Sequence, residues 1–148
     1  MQFEINVIGL EGQITAAHLV EHGGTTPINI ISASQDFDAH VEWYLCAPWP
    51  PPGDWLLRLH LESMGTGTEY DLPTPDPAKV ATASGSACTP PGATGPCQCW
   101  THDINVAAGT VDPGAYSATV VLTWESAPGT PGPMAGFADL GKLQIYVP

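Results

Sequence analysis

Basic residues are nearly absent from this sequence: Arg58, Lys79 and Lys142 stand against 15 acids in 148 residues, for a formal charge of −12. A chain so charged repels phosphate and anionic lipid and offers no cationic track for counterion release, which excludes nucleic acid and bare anionic membrane as expected partners. Charged residues of either sign make up 12% of the chain, about half the usual ~25% share. No apolar run approaches the roughly 18 residues of a helical membrane span. The start, Met1-Gln2-Phe3-Glu4-Ile5, has neither the basic region nor the apolar run of a signal peptide, so conventional secretion is not expected if Met1 is the native start. No Asn-x-Ser/Thr sequon occurs. Nucleophile-elbow, His-Glu-x-x-His and phosphate-cradling glycine motifs are also missing, and the chain is not expected to be an enzyme.

Turn formers and alternation are abundant instead. Gly 16 and Pro 16 punctuate the chain, and between them lie period-two patterns of half-buried strands. Residues 35–46 place Phe37, Ala39, Val41, Trp43 and Leu45 against Asp38, His40, Glu42 and Tyr44. Residues 55–64 place Trp55, Leu57, Leu59 and Leu61 against Arg58, His60 and Glu62. Residues 3–10, 29–33, 69–72 and 100–106 read as further strands, with Leu143, Ile145 and Val147 as the last. Residues 14–20 are ambiguous, since Ala16, Ala17, Leu19 and Val20 also suit one helical turn; the Gly23-Gly24 pair that follows favours a strand. Two long loops are expected, a Pro/Ala/Ser/Gly-rich one at 74–98 and a Pro/Gly-rich one at 126–141. The whole, residues 1–148, reads as one domain.

The stretch 112–124 is the most regular: Tyr116, Ala118, Val120, Leu122 and Trp124 share one side of a strand, with Ser117, Thr119 and Thr123 on the other. Just before it, Asp112-Pro113-Gly114-Ala115-Tyr116 resembles the tyrosine corner of immunoglobulin-like sandwiches, in which the phenol bonds back to upstream backbone. The resemblance implies an all-β, single Ig-like antiparallel β-sandwich of seven to nine strands. Antibody-type domains carry a cysteine two residues after that tyrosine, and here the position is Ala118. The likeness therefore extends to the wider architecture only, and the four cysteines are left for the loops.

Cys88, Cys97, Cys99 and His102 form the sharpest cluster of potential ligands. Two thiolates with a single residue between them, a third thiolate and an imidazole make a poor zinc knuckle but a conceivable tetrahedral set. A disulfide from Cys88 to Cys97, pinning residues 89–96, is the plainer reading, with Cys46 and Cys99 free or paired; four cysteines allow three full pairings. No cofactor is otherwise implied. His40 and Glu42 share a sheet surface with Arg58, His60 and Glu62, where they could bind a cation or an acidic partner, only if the intervening proline loop is a hairpin; solvated alternation is the plainer reading of them. His18 and His22 read as surface histidines.

Trp43, Trp55, Trp100 and Trp124 fall on inward positions and belong to the core. Trp49 differs: set between Pro48 and Pro50, it is either a lid over one end of the sandwich or an exposed anchor. Trp49, Tyr44 and Pro51 are the candidate partner contacts. The expected role is a non-catalytic binding or assembly module engaging a protein partner or another copy of itself. A small-ligand or carbohydrate module stacking on Trp49 or Tyr44 comes second, and a metal-dependent enzyme third.

Overall fold

Alternating side chains bury one face of each strand, and two such sheets close on each other. The computed structural model describes residues 2–5 and 10–148. Its strands are β1 (Gln2–Ile5), β2 (Glu11–Glu21), β3 (Ile30–Ser32), β4 (Phe37–Cys46), β5 (Asp54–Ser63), β6 (Tyr70–Leu72), β7 (Ala78–Ala81), β8 (Ser86–Cys88), β9 (Cys97–Val106), β10 (Gly114–Ala127) and β11 (Thr130–Tyr146), with a 3-10 turn at Thr82–Ser84. One sheet runs β1-β11-β10-β5-β6, with β3 joining β11 and β7 joining β5; the other runs β2-β4-β9-β8. The result is an all-β sandwich. The described strands number eleven, above the seven to nine expected, because β7 and β8, of four and three residues, lie within the segment read as a loop. β3 pairs with β11 in parallel, the one departure from antiparallel pairing among the described strands.

Between the sheets, Trp55, Leu57, Leu59 and Leu61 of β5 and Ala118, Val120 and Leu122 of β10 face Val41, Trp43, Leu45, Trp100 and Ile104 from the other layer, all buried. Three indoles knit the layers: the Trp55 ring lies 5.3 Å from Trp100 and 6.1 Å from Trp43, both edge-on, and Trp43 stacks on Trp100 at 6.2 Å. Such pairs contribute beyond the area they bury. Trp124 is only partly buried and packs at the margin of this core.

Two bulges explain where the sequence pattern blurs. In β2 the register shifts between Ile14 and Ala16, so Ile14 and Leu19 both face the core despite their odd spacing. The helix-like look of 14–20 is this bulge, and the segment is strand. In β11 a shift beside Asp139 and Gly141 lets Met134 and Ala138 share the inward side with Leu143 and Ile145.

Several expectations need correction. Residues 126–141 are not a loop: β10 and β11 form a hairpin turning at Pro128-Gly129. Pro131 lies where the ladder is irregular and, with Pro133, precedes the stretch paired with β1, so the missing amides are tolerated there. The 74–98 segment contains β7, the 3-10 turn and β8. Val147 lies beyond β11 and is 71% exposed. The first strand is seen over Gln2–Ile5, and Val7 lies outside the described residues.

At one end of the sandwich the Tyr116 hydroxyl donates to the Asp112 carbonyl at 2.7 Å, and the Asp112 amide donates to the Tyr70 hydroxyl at 3.1 Å. Burial, with Tyr70 and Asp112 adding to it, raises the Tyr116 pKa above the ordinary phenol value, so the donor proton is retained.

Candidate binding cleft at the proline-loop end

The connection from β4 to β5 crosses from one sheet to the other, because prolines cannot continue either ladder. His40 and Glu42 therefore lie on the outer face of one sheet, and Arg58, His60 and Glu62 on that of the other. The crossing loop, residues 47–53, is tied down along its length. Thr82, buried, donates through Oγ1 to the carbonyls of Pro51 (2.7 Å) and Gly53 (2.9 Å), and Trp124 Nε1 donates to the Pro52 carbonyl at 2.8 Å. The Ala47 amide donates to the Pro96 carbonyl at 3.1 Å. Gly53 takes φ +90, and a Cβ there would lie 1.9 Å from the Glu125 carbonyl oxygen, so the turn out of the loop requires glycine.

Trp49 rises from this frame and remains 49% exposed. On one side of it opens a cleft of about 220 Å³, lined by Leu45, Pro50, Ala87, Pro96, Gln98 and Trp100. On another side lies a smaller, mostly apolar hollow of about 70 Å³ reaching Leu10, Trp124 and Met134. A third, of about 180 Å³, extends along Pro48 to Thr94 and Gly95. Trp49 thus lines two hollows and keeps a free surface of its own. Pro51 lines both of the first two.

The floor of this region is cross-linked. Cys46 and Cys97 are directly opposite on β4 and β9 and form one disulfide; Cys88 reaches diagonally from β8 to Cys99 and forms the other. The expected Cys88–Cys97 bond is not the one formed. Cys97 stands in register between Cys88 and Cys46, and β4, invisible as a neighbour in the sequence, takes it. All four sulfurs are consumed, leaving no thiolate for zinc at this cluster. His102 is separated from it as well: it shares the inward side of β9 with Trp100 and Ile104, opposite to Cys97 and Cys99, and burial lowers its pKa.

Tyr44, expected as a partner contact, is buried rather than displayed. It is 5% exposed, packed with Cys46, Cys97 and Ala93 beneath the disulfide-bound loop. Sequence reasoning missed Gln98, Trp100 and Pro96 as cleft residues, because only the register of β9 against β4 and the Ala47–Pro96 hydrogen bond bring them to the proline loop. The chain matches no family model and no curated protein.

Proposed function

We propose that this chain is an Ig-like β-sandwich serving as a non-catalytic binding or assembly module, with a protein partner or a second copy docking at the Trp49 end. The observation carrying this reading is the half-exposed indole held on a fixed proline frame between hollows. A large ring on a loop whose backbone is already tied down leaves less chain entropy to lose on binding, and such rings are enriched among interface hot spots. The Tyr116 to Asp112 hydrogen bond supports the Ig-like assignment. Two disulfides with no free cysteine support work in an oxidising compartment.

A second reading, a small-ligand or sugar module, now rests on Trp49 beside the Gln98 amide, since Tyr44 is buried. Size-exclusion chromatography with light scattering, across a hundredfold range of concentration, tests self-association. Molar mass rising above 15.5 kDa with concentration is expected if a second copy docks. A constant monomer removes self-association, and Trp49-dependent binding of sugars in thermal-shift assays would then favour the second reading.

A further inference from the structure

β8 is an edge of the four-stranded sheet, three residues long and paired with β9 alone. Ala87 and Gln98, directly opposite each other on these two strands, turn inward and line the cleft beside Trp49. Cys88 and Cys99 turn outward from the same strands, so their disulfide clasps the back of that wall. Beyond Cys88 the chain runs on to Cys97, and Thr94, Gly95 and Pro96 on the way line the third hollow.

Little else holds this segment in place. Between Thr82 and Cys97 every residue is at least partly exposed and none is charged, so neither core burial nor an ion pair fastens it. The turn bonds within it are local: the Gly85 amide donates to the Thr82 carbonyl at 3.3 Å, and the Ala93 amide to the Pro90 carbonyl at 3.1 Å. Its two ends are anchored firmly. Upstream, buried Thr82 accepts at its carbonyl from Trp100 Nε1 at 3.2 Å. Downstream, Cys97 is bonded to Cys46 of β4.

The two disulfides differ in access. Cys46 and Cys97 are 3% and 7% exposed, whereas Cys88 and Cys99 are only partly buried. An incoming thiolate must reach a sulfur before it can exchange, so access favours opening Cys88–Cys99 first.

We propose that Cys88–Cys99 is a thiol–disulfide exchange site for a dithiol reductant, and that its opening releases residues 86–96 from the cleft while Cys46–Cys97 keeps the floor closed. One thiolate of the dithiol attacks a sulfur of the pair, breaking the S–S bond and forming a mixed disulfide. The second thiol of the reductant then displaces the protein sulfur. Cys88 and Cys99 end as thiols and the reductant leaves as a disulfide, an electron pair and two protons having passed to the protein. The wall carrying Ala87, Thr94 and Pro96 thereby changes from fixed to movable. This device does not depend on what docks at Trp49.

Graded dithiothreitol treatment of the folded full chain, with iodoacetamide trapping and peptide mass mapping, tests the first half. Cys88 and Cys99 are expected to be alkylated at least about tenfold faster than Cys46 and Cys97. Hydrogen exchange on the half-reduced protein tests the second half. Amides within 86–96 are expected to exchange at least about tenfold faster, with β5 and β10 unchanged. Reoxidation before trapping should restore the parent's exchange, and Cys88→Ser with Cys99→Ser should reproduce the faster exchange with no reductant or alkyl group present. Opening of Cys46–Cys97 first or at the same rate, no reduction short of unfolding, or a half-reduced protein whose residues 86–96 exchange as in the parent would each overturn the proposal.

Discussion

The two ends of the sandwich are built on different principles. At the Tyr116 end a phenol, a turn carbonyl and a second tyrosine satisfy one another: Tyr70 sits edge-on to Tyr116 at 6.0 Å. The hollow described there, beside Phe37 and Val111, is only about 10 Å³. At the Trp49 end the hydrogen bonds go to fastening a loop that has few amides of its own, and open volume is left around an indole. One end fixes the chain's path, and the other, pinned by disulfides, displays a surface. Rigidity without closure is the difference on which the proposed docking at the Trp49 end rests.

Substitutions can sharpen this contrast, beginning with the largest effect. Trp55→Ala removes the indole that bridges both layers behind the cleft and is expected to cost about 3–5 kcal/mol in chemical denaturation. Cys46→Ser with Cys97→Ser frees β9 from β4 at the cleft floor; a loss of roughly 2–4 kcal/mol is expected, together with protease sensitivity in residues 88–96. At the opposite end, Tyr116→Phe keeps the ring and deletes the bond to Asp112. A loss of about 1 kcal/mol is expected, with no change in association. A Tyr116→Phe protein that lost association while still folded would break the division between the ends.

The smallest effect concerns pH. His22 Nδ1 donates to Asp38 at 3.0 Å, and Asn105 Nδ2 donates to the same carboxylate at 2.8 Å. The hydrogen bond and charge of Asp38 raise the His22 pKa. Burial pushes Asp38 upward, but the bonds from Asn105 and His22 outweigh it, and its pKa falls below the usual carboxylate value. The histidine's contribution is full below its unfolded pKa near ~6.5 and fades as pH rises through the raised folded value; the aspartate's is full above ~3.9 and fades as pH falls through its lowered value. His22→Ala should therefore lower the melting temperature most between about pH 4 and 6.5. The difference should narrow on the alkaline side, and a constant difference from pH 5 to 9 would contradict the linkage.

Much of the sandwich was legible in the sequence, because β4, β5, β9 and β10 alternate without interruption over the residues that were read. What blurred was local. The bulges at Thr15 and near Leu140 reverse the alternation mid-strand, and the prolines of β11 imitate a loop while sitting where the ladder is irregular. Of the candidate site, Trp49 and Pro51 could be picked out from their flanking prolines. Tyr44 could not be judged, since an outward position in a strand becomes buried when a disulfide-tethered loop folds over it. The cysteine pairing was unreadable for a related reason: it depends on register between β4 and β9, which are 51 residues apart at the bonded pair.

Trp49 is proposed to belong to a docking surface and to contribute little to the fold. Light scattering of Trp49→Ala beside the parent chain, both first shown to unfold within about 0.5 kcal/mol of each other, tests it most directly. The parent's molar mass is expected to rise with concentration while the variant stays at the monomer mass. Equal association in the two folded proteins, or a parent that remains monomeric throughout, would contradict docking of a second copy through Trp49.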